Sequence, residues 1–141
     1  MTKTGRVIIV KRYTRALITA NPEVLFVFGD NLARVGYGGQ AAEARGCKNA
    51  VGIPTKISPS QVITDELVYQ NPHRYCVPVK EAFDELHAHL SKGGVVCWPK
   101  DGVGTGLAAL STHAPKFLEG IEAHKERLFD AAVSVTESNV N

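Results

Sequence analysis

The sequence predicts an α/β domain built on a largely parallel sheet with helices on both faces. Three observations carry this. Apolar segments of strand length alternate along the chain with segments of helical periodicity. The strand segments are continuously apolar, as strands buried on both faces must be. Gly- and Pro-containing turns follow those strands, where ligands of open α/β sheets bind.

Val7-Ile8-Ile9-Val10 is a β-branched run and a good buried strand. Tyr13 to Ala20 suits a short helix that stops before Pro22. Val24 to Phe28 is a second strand, ending at Gly29-Asp30-Asn31. The glycine-rich bend from Gly36 to Gly39 leads into a helical stretch, Gln40 to Arg45, stopped by Gly46. Ala50 to Pro54 is a third strand, with Pro54 expected at its end. Residues 57–75 are polar and irregular, and a connection of that length is expected to be a loop of the kind that forms binding lids.

Val79 to Lys92 is the clearest helix. Val79, Ala82, Phe83, Leu86 and Leu90 form one apolar face, Pro78 suits the first turn, and Gly93-Gly94 ends it. Val95 to Trp98 is a fourth strand. Pro115 opens a last helix with Phe117, Leu118, Ile121 and Leu128 inward. Residues 1–130 are expected to form a single domain and 131–141 a frayed C-terminal tail.

The chain has 141 residues, 44% hydrophobic and 21% charged, within the range of one globular domain. A net charge of +2 does not argue for general nucleic-acid binding and leaves room for a local basic cleft. Cys47, Cys76 and Cys97 form no C-x-x-C pair, so neither a disulfide scaffold nor a zinc site is expected. Cys97 lies in an apolar run and reads as a buried thiol. No apolar signal region or membrane-length segment is seen, and a cytoplasmic protein is expected. His73, His87, His89, His113 and His124 lack metal-ligand spacing and read as solvated or structural. No metal and no cofactor is expected.

Three strand ends, Gly29-Asp30-Asn31, Pro54-Thr55-Lys56 and Pro99-Lys100-Asp101-Gly102, should meet at one sheet edge. Gly36-Tyr37-Gly38-Gly39 before a helix either forms only a tight turn or opens backbone N–H groups to a diphosphate. Asn31 then suits a ribose hydroxyl. Asp101-Gly102-Val103-Gly104-Thr105-Gly106 directly follows a strand and offers a second set of amides. It is not G-x-x-x-x-G-K-[ST], so it is no P-loop. Lys56 reads either as a surface lysine or as a point charge for phosphate or sugar chemistry. Lys100 and Asp101 suit a pair across the same cleft.

In order, these blocks resemble the macrodomain family. Asn31 with Gly36-Tyr37-Gly38-Gly39-Gln40-Ala41-Ala42, then Ile53-Pro54-Thr55-Lys56, then Trp98 to Gly106 look like its ligand loops. The likeness is specifically to the subclass that removes ADP-ribose from DNA or acidic side chains, which includes antitoxins of DNA-modifying toxins. The resemblance covers roughly residues 5 to 125 and implies a three-layer α/β/α fold with a mixed, mostly parallel sheet. It implies an ADP-ribose-like, possibly cyclic, nucleotide as ligand and ADP-ribosylated DNA or protein as a partner class. It also implies a phage or bacterial defence setting. Ligand-binding residues would be Asp30, Asn31, Gly36, Gly38, Gly39, Gln40, Thr55, Lys100, Gly102, Val103, Gly104, Thr105 and Gly106. Lys56 and Asp101 would be the catalytic candidates.

Three departures stand out. The first strand runs into Lys11-Arg12-Tyr13-Thr14, where the family carries an acid, Thr105-Gly106-Leu107 replaces the acid of hydrolytic members, and the family's final strand is not evident after residue 125 unless Ala131 to Val135 supplies it. Three functions follow from these residues: a nucleotide-binding module, an ADP-ribosyl hydrolase using Lys56, and an interaction protein that has lost the ligand.

Overall fold

The computed structural model describes residues 2–138. The elements run β1 (Arg6–Val10), α1 (Arg15–Ala20), β2 (Val24–Asn31), α2 (Ala41–Ala44), β3 (Ala50–Ser58), β4 (Gln61–Val62), α3 (Asp65–Gln70), α4 (Pro72–Ser91), β5 (Val95–Pro99), α5 (Leu110–His113), α6 (Pro115–Ala131) and β6 (Ser134–Glu137). They form one six-stranded sheet in the order β4-β3-β2-β5-β1-β6. Every pairing is parallel except the β3–β4 hairpin.

Side-chain alternation sorts the strands into two cores. Val7, Val27, Val51, Ile53, Val96 and Trp98 face one side and pack with α4, α5 and α6. Val10, Phe26, Phe28 and Cys97 face the other and pack with Ile18 of α1 and with Ala41 and Ala44 of α2. A sheet with both faces covered has no polar face to show, which is why its strands are continuously apolar. The fold is a three-layer α/β/α sandwich.

Four expectations need correction. Pro54 does not close β3: it lies inside the strand, opposite Asp30, and the β2–β3 register shifts at the next pair, Asn31–Lys56. A residue without an N–H is accommodated at such an irregularity. Residues 57–75 are not a long loop. β3 continues to Ser58, turns back into β4, and is followed by α3 and the start of α4. Thr64 caps α3, its hydroxyl accepting from the Leu67 amide at 3.2 Å. The Asp65 carboxylate accepts from the Lys116 and Phe117 amides, both at 3.0 Å, tying the segment to the start of α6.

Pro78 is not in the first turn of its helix. α4 begins a turn and a half earlier at Pro72, behind an Asn71 cap, and carries Pro78 internally. Tyr75, only 2% exposed, extends the apolar face four residues before Val79. Finally, the expected tail includes a strand: β6 pairs with β1 from Arg6–Ser134 to Ile9–Glu137. Residues 139–141 lie outside the described residues.

Cys97 is buried, and burial pushes its thiol up to about 11. Cys47 and Cys76 are also free thiols. Among the described residues, no helix is long and apolar enough to cross a membrane.

His124 of α6 stacks on Phe83 of α4 at 4.9 Å between ring centroids, with 14° between the planes. Burial, followed by the nearby Arg127 cation, lowers its pKa from 6.5. The unfolded imidazole therefore takes its proton at higher pH than the folded one. The contribution of His124 to stability is present above that value and is lost as pH falls through and below it. His124→Phe keeps the ring contact and removes the titration. Its thermal midpoint should fall less than that of the unmodified protein between about pH 7.5 and about pH 5.5. Equal falls would mean that His124 does not titrate differently on folding.

Candidate functional site: a cleft where two strands part

β2 pairs with β5 over only three residues, Val24–Phe26 with Val95–Cys97. Beyond that point β2 follows β3 as far as Asn31–Lys56, while β5 follows β1 as far as Val10–Pro99. The sheet opens at the carboxyl ends of its parallel strands. The opening is a cleft of about 420 Å³, within the size range of small-molecule sites. The ends of β1, β2, β3 and β5 all reach it, so four strand ends converge, not three.

Gln40, just before α2, bridges the split. Its Oε1 accepts from the Gly29 amide of β2 at 2.7 Å. Its Nε2 donates to the Gly102 carbonyl, in the loop after β5, at 3.0 Å. Both ends of the carboxamide are therefore engaged with the protein, and Gln40 sets the spacing of the two walls.

Asp30 anchors the β2 wall. Its carboxylate accepts from Arg45 Nη2 at 2.6 Å, Arg34 Nη1 at 3.1 Å and the Asn31 amide at 2.8 Å. Its side chain is only 3% exposed, so the charge is neutralised in place. The two arginines pass the constraint on. Arg45 donates to the Gly36 carbonyl at 2.7 Å and lies over the Phe28 ring, and Arg34 donates to the Gly52 carbonyl at 2.9 Å. Asn31 completes the loop, its Nδ2 donating to the Val35 carbonyl at 2.8 Å. Thr55 is buried behind, its hydroxyl donating to the Asp30 carbonyl at 3.2 Å.

The glycine loops form the two lips. Gly36, Gly38 and Gly39 line one side, and Gly104, Thr105 and Gly106 the other. Gly36 takes φ 92° and Gly104 φ 84°. A β-carbon on Gly104 would also lie 2.5 Å from Leu110 Cδ1, so both conformation and space demand glycine there. Among the described residues, the amides of Gly38, Gly39 and Thr105 donate to no protein acceptor.

Lys56 lines the cleft from β3, and its Nζ donates to the Pro59 carbonyl. Asp101 lines it from the end of β5. β2 lies between their strands, so the two come from strand ends at least two strand spacings, about 10 Å, apart. No carboxylate lies within ion-pair distance of Lys56 among the described residues.

Three expected site residues fall outside the lining. Lys100 does not pair with Asp101: its Nζ meets Glu137 of β6 at 2.9 Å. Val103 is 2% exposed and belongs to the hydrophobic core. Gly102 makes the turn after β5 and presents its carbonyl to Gln40. Conversely, Lys11, Arg12, Tyr13 and Arg45 line the cleft and were not expected there. The first three follow a strand in the same way as the recognised blocks, so the strand-end rule could have found them. Arg45 carried no such signal. Among the described residues, no cluster of three His, Cys, Asp or Glu side chains could hold a metal ion.

Gly52 of β3 tests the anchoring network without touching the ligand side. A β-carbon there would lie 2.5 Å from Asp30 Oδ2 and 3.0 Å from Arg34 Nη1. Gly52→Ala should destabilise the fold by about 1–3 kcal/mol in urea unfolding. Asp30→Ala, which takes the buried carboxylate from Arg34 and from the largely covered Arg45, should lose about 2–4 kcal/mol. A loss below about 0.5 kcal/mol for Asp30→Ala would show that the network does not hold the wall.

No curated protein and no solved structure matches the chain. The model of the family described as "Family of unknown function (DUF7831)" matches residues 8–124, a span that includes every residue lining the cleft, and the chain belongs to that family.

Proposed function

We propose that the cleft binds an ADP-ribose-like nucleotide in the cytoplasm, as the macrodomain resemblance implies. The observation that carries this reading is the pairing of two glycine-rich lips across a split in the sheet. The unpartnered amides of Gly38, Gly39 and Thr105 on those lips suit a diphosphate. The charge of the lining supports it. Asp30 is neutralised by Arg34 and Arg45, and beyond that network the lining carries Lys11, Arg12 and Lys56 against the carboxylate of Asp101. An anionic ligand is favoured by such a field.

A second reading, ADP-ribosyl hydrolysis, is favoured by the position of Lys56 in the cleft wall. As a cation near a ribose, Lys56 would stabilise developing charge in the transition state; as an amine it would attack the anomeric carbon. The absence of a carboxylate beside it, among the described residues, favours the binding module.

Isothermal titration with ADP-ribose tests the first reading, with product analysis on an ADP-ribosylated DNA oligonucleotide for the second. Binding without cleavage is expected. Gly39→Asn places a side chain on the lip where a β-carbon meets nothing within 4 Å, in a left-handed conformation that Asn tolerates. It should weaken ADP-ribose binding about tenfold or more while leaving the thermal midpoint of the free protein nearly unchanged. Cleavage that disappears in Lys56→Ala would establish the hydrolase instead. A protein that no nucleotide stabilises against heat would be an interaction protein on this fold.

A further inference from the structure

The polar side chains of the β2 wall are turned toward the protein itself. The Asp30 carboxylate is taken up by Arg34, Arg45 and the Asn31 amide. The Asn31 carboxamide meets the Val35 backbone at both of its ends, at 2.8 and 3.4 Å. Gln40 is engaged by the Gly29 amide and the Gly102 carbonyl, and the Thr55 hydroxyl by the Asp30 carbonyl. What the lip of this wall offers a ligand is therefore the open amides of Gly38 and Gly39 and the ring of Tyr37, the residue before them.

Tyr37 is 69% exposed and, among the described residues, takes part in no ring, cation–π or side-chain hydrogen-bond contact. Val35, 51% exposed, lines the cleft two residues before it. Single apolar side chains on a surface are ordinary, but these two stand together on the lip that carries the amides. The backbone beneath them is held. The Val35 carbonyl accepts from Asn31 and Arg45, and the Gly36 carbonyl from Arg45. A β-carbon on Gly36 would lie 3.0 Å from Pro59 Cγ, so the lip rests on the turn between β3 and β4. Tyr37 is thus presented from a fixed backbone, about 3.8 Å along the chain from the first open amide. Tyr13, the aromatic residue that lines the cleft itself, is committed elsewhere: its hydroxyl donates to the Cys97 carbonyl at 2.9 Å and its ring meets Phe26 edge-on.

Building on the nucleotide-binding reading, we propose that Tyr37 stacks on the base of the bound nucleotide, and that the base is held by its face rather than read at its edge. A diphosphate on the Gly38 and Gly39 amides brings the group bonded to it within reach of the tyrosine ring. Tyr37 stands outside the cleft lining, so the base lies at the mouth, over the lip, and not in the depth of the cleft. Stacking on an aromatic ring needs no edge contact, because every base has a π-face. The ligand class is then a nucleoside diphosphate sugar whose base is interchangeable, adenine or hypoxanthine alike.

The test is isothermal titration of the full chain with ADP-ribose, with its hypoxanthine counterpart and with ribose 5-diphosphate, which keeps the diphosphate and lacks a base. ADP-ribose should bind about tenfold or more tightly than ribose 5-diphosphate, and the hypoxanthine form within about threefold of ADP-ribose. Tyr37→Ala should weaken ADP-ribose binding about tenfold while leaving ribose 5-diphosphate affinity and the thermal midpoint of the free protein nearly unchanged. Tyr37→Phe should restore the affinity. Tyr69→Ala, on an exposed tyrosine of α3 outside the cleft lining, should alter neither ligand's binding. An ADP-ribose affinity that survives Tyr37→Ala, or an equal loss for both ligands, overturns the inference and leaves nucleotide binding standing. A tenfold loss on replacing adenine by hypoxanthine would mean that the edge is read, and also overturns it. Binding of neither ADP-ribose nor ribose 5-diphosphate overturns the nucleotide reading itself, and this inference with it.

Discussion

Asp30 is withdrawn almost wholly from water at the end of a parallel strand, and a carboxylate in that position must be paired where it stands. Two guanidinium groups do this, and each reaches a further backbone carbonyl, Gly36 from Arg45 and Gly52 from Arg34. One buried charge thereby joins β2, β3, the glycine lip and the residue that follows α2. The arrangement also sets what the neighbours can be. Gly52 has to leave room for the carboxylate. Arg34 itself takes φ 58°, a left-handed conformation uncommon for a side chain of its size, and its two contacts offset that strain.

The cleft depends on a second constraint, the parting of β2 from β5. Strands left unpaired expose backbone groups that must find other partners. Gln40 supplies two of them, accepting from Gly29 on one wall and donating to Gly102 on the other. A shorter side chain would not reach across, and a carboxylate would lack the donor for Gly102. Gln40, a ligand-contact candidate in the sequence that does line the cleft, is also the spacer that keeps the split open to one width.

The layers of the fold were legible because they rest on local apolar runs. Val7 to Val10, Val24 to Phe28 and Val95 to Trp98 are strands on any reading of the chain. What escaped was set by polar or long-range terms. β6, Ser-Val-Thr-Glu, has no apolar signature, and only pairing with β1 makes it a strand. The α3 helix has no fully buried residue and is defined by its Thr64 cap. Pro54 and Pro78 mark boundaries in most contexts, but here a register shift and a strong apolar face override them. At the site, the glycine blocks and Lys56 were visible as strand-end irregularities. The pairing of Lys100 with Glu137 was not, because it joins residues whose strands become neighbours only through β1.

These constraints bear on how tightly such a cleft can hold a ligand. On the proposed reading the diphosphate contacts would be backbone amides, which carry no net charge and contribute only modestly each. Affinity from such groups depends on their being in place before the ligand arrives, since ordering a loop on binding opposes association. The lip from Gly36 to Gly39 is joined at Gly36 by Arg45 and followed at once by Gln40, and the Gly104 lip packs on Leu110 and accepts its amide at 2.9 Å. The first lip is thus fixed by side chains of the cleft wall and the second by Leu110 behind it. Glycine, the residue with most freedom in the unfolded chain, is held here by the side chains of its neighbours. On the proposed reading, a chain of modest net charge would in this way hold an anion, the amides setting the geometry and the cations at the ends of β1 and β3 supplying the field.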